Sequence, residues 1–199
     1  MDAPRSLIPD PRSLTGIILC GGRSTRMGFD KASLPFGKET MLERIRRILR
    51  GIADEVIVVG RRDQDAATVH DATEDQGPLS GIAAGLSSSR TDLNIVVACD
   101  MPLINPHVLE RMAAAIGDED VCVAMVDGHA SALCGIYRSR VATDAQALLA
   151  TGERRVMRLL DRVKTQRIDA SLFHDIDPEL QTFVSVDTPE AYRAALRRA

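Results

Sequence analysis

The stretch from Leu19 to Lys31 holds the side chains of this chain best suited to gripping phosphate: Leu-Cys-Gly-Gly-Arg-Ser-Thr-Arg-Met-Gly-Phe-Asp-Lys. It carries three glycines, Gly21, Gly22 and Gly28, and three cations, Arg23, Arg26 and Lys31. Glycine lacks a Cβ, so backbone N–H groups can approach an anion closely. Arginine meets phosphate oxygens with a planar fork, and lysine supplies a compact point charge. The spacing excludes the two best-known glycine loops. A Walker loop places Lys and Ser or Thr directly after its last glycine, whereas Phe29 and Asp30 follow Gly28. A dinucleotide fingerprint runs from Gly-x-Gly-x-x-Gly straight into a helix. Here Gly21-Gly22 and Gly28 are spaced differently, and Pro35 and Gly37 delay the helix. The pattern reads as a long arginine-bearing loop around a nucleoside triphosphate. A surface turn with incidental charges is the bland alternative, and the density of specialised residues argues against it.

Two aspartates extend the candidate chemistry. Asp100 follows the apolar run Ile95-Val96-Val97-Ala98 and precedes Met101-Pro102. A hard oxygen ligand at a strand end suits Mg2+, which is held by one or two carboxylates together with substrate phosphates and water. The competing role, capping the next helix, falls to Asn105, because Pro106 after it suits a first helical position. Asp187 stands between Phe183-Val184-Ser185-Val186 and Thr188-Pro189. It reads equally well as a second metal ligand and as the cap of a closing helix. His70, His107, His129 and His174 are scattered, and no Gly-x-Ser-x-Gly elbow occurs, so acyl-enzyme chemistry has no support. No protein base is needed where a phosphate monoester attacks, since its second pKa of ~6 leaves it mostly ionised near neutrality. The protein then has only to neutralise charge and align the attack in line.

These residues need a scaffold, and the hydrophobic pattern predicts one. Gly16-Ile17-Ile18-Leu19 and Val56-Ile57-Val58-Val59 are short apolar runs, the mark of buried strands. Ile95 to Ala98, Asp120 to Val126, Ala132 to Tyr137 and Phe183 to Val186 are further expected strands, with a short one at Thr68 to His70. Helices are expected over Glu39 to Gly51, from Gly77-Pro78 onward, and over His107 to Ile116, Val141 to Ala150, Arg154 to Leu160 and Pro189 to Ala199. Strand and helix alternate. The expected fold is α/β, a Rossmann-like three-layer sandwich whose mostly parallel sheet carries helices on both faces. In such sheets ligands sit at the carboxyl ends of the strands, where the Leu19 loop, the Val59 loop, Asp71 and Asp100 all fall. Residues 14–199 read as a single domain, and residues 1–13, with Pro4, Pro9 and Pro11, as a loose extension.

Composition narrows the partners. Of the 199 residues, 45% are apolar and 27% charged, ordinary for a soluble globular chain, and the net charge is −3. No basic excess points to nucleic acid, and 3% aromatics with no Trp offer no base-stacking platform. Arg193, Arg197 and Arg198 suit the solvated end of a helix. No run reaches the ~18 apolar residues of a membrane span, and residues 1–13 lack the apolar core of a secretory signal. Cys20, Cys99, Cys122 and Cys134 lie in apolar surroundings without Cys-x-x-Cys spacing. They read as buried, reduced core residues, neither zinc ligands nor a disulfide framework. A cytoplasmic location is expected.

On these residues the chain resembles the molybdenum cofactor guanylyltransferases, the MobA-type nucleotidyltransferases. Leu19 to Lys31 is similar to the family's opening motif, Gly77-Pro78-Leu79-Ser80-Gly81-Ile82 to its second nucleotide motif, and Cys99-Asp100-Met101-Pro102 to its metal-binding motif. Gly152-Glu153-Arg154-Arg155-Val156-Met157 and Val184-Ser185-Val186-Asp187-Thr188-Pro189 resemble late segments on the acceptor side. The resemblance runs from Thr15 to the C-terminus and implies a nucleotidyltransferase-type fold. It implies nucleotide contacts from Leu19, Cys20, Gly21, Gly22, Lys31, Asp71, Gly77, Pro78, Leu79 and Asp100, with Arg26, Lys31 and Asp100 as the catalytic set. For Asp71 a polar turn residue is the alternative. Mg2+ is expected on Asp100, and on Asp187 if that residue is a ligand. Arg154, Arg155, Ser185 and Asp187 are expected to face the acceptor. Backbone groups of Leu19, Cys20 and Gly21 are expected to read the base, with Gly22 and Gly81 leaving room for a purine. The chain departs from the pattern at Ser185 and Asp187, where the family commonly has Asn, and at Ser131-Ala132-Leu133, where many members have Gln-Pro-Leu in a loop facing the acceptor.

The implied reaction transfers GMP from GTP to the terminal phosphate of the molybdenum-bearing pterin. It releases pyrophosphate and forms the guanine dinucleotide cofactor. GTP and the loaded pterin are the expected partners, with transient contacts to other molybdenum cofactor proteins and none to nucleic acid or membrane. One rival uses CTP on the same pterin; Cys20-Gly21-Gly22 and Gly77-Pro78-Leu79 resemble the guanylyl branch instead. A second rival acts on a sugar phosphate, against which the chain is short and Gly152-Glu153-Arg154-Arg155 resembles the pterin enzymes. Outside enzymes, the alternative is a nucleotide sensor, which would release no pyrophosphate.

Overall fold

The computed structural model describes residues 13–20, 31–60 and 77–198, together with the backbone of residues 67–69. In chain order the elements are β1 (Leu14–Leu19), a 3₁₀ turn (Lys31–Ser33), β2 (Pro35–Phe36), β3 (Glu39–Thr40), α1 (Met41–Arg50), β4 (Glu55–Val59) and β5 (Ala67–Val69). Then follow α2 (Pro78–Ser88), β6 (Leu93–Ala98), α3 (Pro106–Ala115), β7 (Val121–Val126), β8 (His129–Arg138), α4 (Val141–Ala150), α5 (Val156–Arg162) and β9 (Thr165–Asp169). Two 3₁₀ turns (Ala170–Phe173 and Gln181–Phe183) lead to α6 (Pro189–Leu196). The main sheet has seven strands in the order β5-β4-β1-β6-β8-β7-β9. Every pairing is parallel except those of β8, which runs antiparallel to both β6 and β7.

Alternation of side chains along the strands divides the interior into two halves. Ile18, Val58, Ile95 and Val97 point to one face, where Leu42, Ile45 and Leu49 of α1 and Val108, Leu109 and Met112 of α3 cover them. Ile17, Leu19, Ile57, Val59 and Val96 point to the other, beneath Leu79, Ile82 and Leu86 of α2, Ala145 of α4, and Leu159 and Leu160 of α5. This is the expected three-layer α/β sandwich. The α2 helix lies close on β1 because its sheet-facing positions are small. A Cβ on Gly85 would stand 2.6 Å from Ile17 Cγ2, and one on Gly81 would stand 3.2 Å from Leu19 Cδ2. Gly81 therefore serves this close approach.

The helix starts follow local chemistry. Asn105 caps α3 by accepting from the His107 N–H at 3.0 Å, with Pro106 at the first helical position. Thr40 and Glu43 form a reciprocal capping box on α1, so that helix begins two residues later than its apolar spacing indicates. Gly77 has φ +80, a conformation suited to glycine, and Pro78 opens α2.

Four expectations are corrected. Phe183 to Val186 is not a strand: residues 181–183 wind into a 3₁₀ turn, and Val186 gives one N–H to the Asp100 carbonyl at 2.8 Å. β9 was not expected, since of its five residues only Ile168 is buried and an edge strand of that composition shows no apolar pattern. Residues 131–133 lie inside β8, not in a loop, with Ala132 accepting from the Tyr137 hydroxyl at 2.6 Å. Cys99 is only partly buried, whereas Cys20, Cys122 and Cys134 are buried as expected, and all four are free thiols. Burial pushes the thiols of Cys122 and Cys134 up to about 12, so they stay protonated. The loose extension expected over residues 1–13 lies, up to residue 12, outside the described residues. Among the described residues no helix is long and apolar enough to cross a membrane.

Candidate active site

Three segments distant in sequence meet at the carboxyl edge of the sheet. β1 and β6 are neighbours in parallel register, with Leu19 beside Ala98. The ladder continues past their ends, because the Cys99 N–H donates to Leu19 O at 3.0 Å and the Cys20 N–H to Val59 O at 2.8 Å. Asp100 thus leaves the sheet beside the exit of β1. The Leu19 carbonyl and the Cys20 N–H take part in the sheet ladder.

Lys31, in the 3₁₀ turn after the glycine loop, reaches back to this edge. Its Nζ donates to Asp100 Oδ2 at 3.0 Å and to Asp187 Oδ1 at 2.6 Å. Ser185 Oγ donates to the other oxygen of Asp187 at 2.7 Å. Burial disfavours the ammonium charge, but the bonds to Asp187 and Asp100 outweigh it and hold Lys31 above its ordinary pKa. Asp187 does not cap α6; Thr188 does, accepting from the Ala191 N–H at 3.1 Å. The cap reading of Asp187 is excluded, and its carboxylate belongs to this cluster.

A small satellite core explains why the late segment lands here. Phe36, Met41, Val186 and Ala195 are buried together, with Leu34, Leu103 and Tyr192 packed against them. The Tyr192 hydroxyl donates to the Pro35 carbonyl. Arg44 stacks 5.0 Å from the Phe36 ring centroid and donates through Nε to the Pro102 carbonyl at 2.8 Å. The stretch after Lys31, the stretch after Asp100 and the stretch around Asp187 are therefore clamped to one another. No single periodic stretch pointed to this cluster, since its members come from a short strand, irregular segments and two helices far apart in sequence.

The other expected site residues are distributed as follows. Gly77 and Pro78 are exposed at the start of α2, a position where backbone N–H groups favour an anion. The Leu79 side chain is fully buried under the sheet and faces the core. The Arg154 carbonyl lies 3.8 Å from where a Gly77 Cβ would be. Arg154 directs its guanidinium to the carbonyls of Leu149 and Glu153, both at 3.0 Å. Arg155 forks onto Glu153, with Nε–Oε1 at 3.0 Å and an outer nitrogen to Oε2 at 2.7 Å. Those bonds, with the N–H groups of Arg155 and Arg154, hold the Glu153 carboxyl down at about 2. The structure thus brings Lys31, Asp100, Ser185 and Asp187 together and leaves Arg154 and Arg155 around Glu153. Gly21, Gly22, Arg23, Arg26, Gly28, His70 and Asp71 lie outside the described residues.

Two carboxylates already share one cation, here the Lys31 ammonium, and both are hard oxygen donors, so this set fits Mg2+. Among the described residues no group of three or more His, Cys, Asp or Glu gathers that would indicate a closed all-protein metal cage.

Comparison with known proteins settles the family. A profile described as the MobA-like NTP transferase domain matches residues 16–168. The chain belongs to this family. Within it, the probable molybdenum cofactor guanylyltransferase of Natronomonas pharaonis is 34% identical over 200 residues, covering 92% of this chain and 97% of that protein. The molybdenum cofactor guanylyltransferase of Vibrio parahaemolyticus is 30% identical, covering 90% and 93%. Among solved structures, molybdopterin-guanine dinucleotide biosynthesis protein A from Archaeoglobus fulgidus superimposes with a TM-score of 0.80 at 21% identity, covering 92% of this chain and 97% of that one. A 2-C-methyl-D-erythritol 4-phosphate cytidylyltransferase from Thermus thermophilus gives 0.70 at 16% identity, covering 94% and 98%. These two likenesses speak for the nucleotidyltransferase fold alone.

Proposed function

We propose that this chain is a magnesium-dependent molybdenum cofactor guanylyltransferase, which transfers GMP from GTP to molybdenum-bearing molybdopterin and releases pyrophosphate. The observation that carries the reading is the Lys31 ammonium held between Asp100 and Asp187 at the carboxyl edge of β1 and β6. The names of the relatives support the guanine and pterin specificity. Asp100 and Asp187 would hold Mg2+, which when bound neutralises charge building on the transferred phosphoryl group. Lys31 supplies a fixed positive charge beside the same oxygens, and Arg26 supplies the fork for the triphosphate. The acceptor is a phosphate monoester that is already mostly ionised, so no side chain here has to remove a proton. What the chain contributes is alignment and charge, the terms that dominate phosphoryl transfer. Ser185 orients Asp187 through its hydroxyl, and the start of α2 offers backbone N–H groups to the nucleotide.

The test is pyrophosphate release with GTP, CTP, ATP and UTP, with and without the loaded pterin. A site that hydrogen-bonds a base leaves its polar groups unpaired with the wrong one, so discrimination of roughly ten-thousand-fold is within reach. GTP with loaded pterin should turn over far faster than the other three. Equal use of CTP and GTP would replace this reading with the cytidylyl reaction, and pterin-independent turnover would replace the acceptor. A cytoplasmic setting and transient contacts with other molybdenum cofactor proteins belong to the same proposal.

A further inference from the structure

Asp177 is a carboxylate buried to 7% exposure, and among the described residues it pairs with no cation. Its charge is met by hydrogen-bond donors. Oδ1 accepts from the Gln181 N–H at 3.0 Å, and Oδ2 accepts from the Thr182 N–H at 2.8 Å and the Thr182 hydroxyl at 2.6 Å. The Thr182 oxygen in turn accepts from the Asn105 N–H at 3.1 Å. Asn105 uses its side-chain amide to donate to Ile176 O at 2.9 Å while its carbonyl oxygen caps α3. A buried polar network this fully satisfied is rigid. It also holds Leu180 at φ +51, a left-handed conformation that non-glycine residues adopt only when their surroundings over-determine it.

The network ties together the two chain segments that carry the carboxylates of the active site. Asn105 lies just downstream of Asp100, and Thr182 just upstream of Asp187. These two stretches are joined at one end by the Asn105–Thr182 bond and at the other by the Val186 N–H donating to Asp100 O at 2.8 Å. They form a closed frame with Asp177 as the hub of one corner. We propose that Asp177, acting through Thr182 and Asn105, is the positioning residue that sets the separation of Asp100 and Asp187 and so tunes the grip of that pair on a divalent cation. This rests on the reading of Asp100 and Asp187 as a cation site. Partners hydrogen-bonded directly to metal ligands change affinity by about 10–100-fold when altered, and Asp177, which acts through Thr182 and Asn105, is expected at the low end of that range.

The experiment measures Mn2+ binding to the full chain without nucleotide, by the loss of the free-ion paramagnetic resonance signal, with circular dichroism as the check on folding. Asp177→Asn and Thr182→Val should each weaken Mn2+ by about tenfold or more in a folded protein. Thr182→Ser, which keeps the hydroxyl, should stay near wild type. In an Asp187→Asn background, Asp177→Asn should change Mn2+ affinity by less than about twofold, because the coupled partner is already gone. An equal loss in both backgrounds marks Asp177 as structural only and overturns the proposal, as does unchanged affinity in folded Asp177→Asn. If Asp177→Asn does not fold, the contrast of Thr182→Val with Thr182→Ser decides by the same criterion. Wild-type Mn2+ binding that Asp100→Asn and Asp187→Asn leave untouched removes the cation site, and the proposal with it. Base preference in pyrophosphate release is a separate readout, so a failure of the guanylyl reading is recognised independently.

Discussion

Exchanging Asp100 or Asp187 for asparagine keeps the shape of the side chain and removes its charge, so the two variants isolate the electrostatic role. The Asp187 side chain is 56% exposed and the Asp100 side chain 20%. Exposed ion pairs contribute little to folding stability, so the Asp187 variant should melt close to wild type, while the Asp100 variant, whose pair is part-buried, should fold but melt somewhat lower. A lost carboxylate–metal contact costs several kcal/mol in such sites, so each should lower kcat/KM by about a hundredfold or more in pyrophosphate release. Full activity at saturating Mg2+ in either variant would remove that residue from the metal. Glu153 offers a different test. Its carboxyl is held at about 2 in the folded state against an ordinary 4.5, mainly by the Arg155 side chain. A depressed carboxylate contributes stability that is complete above 4.5 and is lost as pH falls toward about 2. The turn between α4 and α5 should therefore loosen in that window. Arg155→Ala should move the Glu153 titration upward, read from its carboxyl carbon by NMR.

At the scale of elements, α2 is seated close on β1 through its glycines. Alanine in place of Gly85 improves helix propensity by about 1 kcal/mol. Its Cβ would nevertheless stand 2.6 Å from Ile17 Cγ2, inside a core with no room to yield. Overpacking of this kind costs typically 1–3 kcal/mol, so Gly85→Ala should lower the melting temperature, and a rise would show that the layer relaxes freely. The elements with strong periodicity were readable in advance. The continuous runs of β1, β4 and β6, the Asn105-Pro106 cap and the span of α4 follow from residues within one stretch. The parts that were not readable depend on residues far apart. Nothing local to β9 distinguishes it from a polar loop, and Phe183 to Val186 has the composition of a strand, yet its N–H groups go to the carbonyls of Leu180, Gln181 and Asp100 in place of a neighbouring strand. The site shows the same division. Lys31 and Asp100 stood out by their setting, while the role of Asp187 waited on the satellite core that carries it to Lys31.

At the scale of the whole molecule, that satellite core is what makes one site from three segments. Val186 is fully buried against Phe36 and Met41, with Ser185 and Asp187 on either side of it. Val186→Ala deletes two buried methyl groups and should cost about 2 kcal/mol in denaturant unfolding. It should also lower turnover while the protein is still fully folded, because the cavity frees the segment that bears Asp187. A variant that unfolds more easily yet turns over normally below its transition would show that the sheet edge alone aligns the pair.

Lys31 and Asp187 are 156 positions apart, and a growing polypeptide leaves the ribosome from its N-terminus, folding domain by domain as it emerges. The strands β1, β4 and β6 are all made before residue 100, yet the second carboxylate of the cluster is made only at residue 187. Until then, of the two carboxylates among the described residues, the ammonium has Asp100 alone to hold. A chain that has not yet folded past residue 187 therefore lacks one of the two carboxylates that hold Lys31, so the cluster is among the last features of this fold to be completed during synthesis.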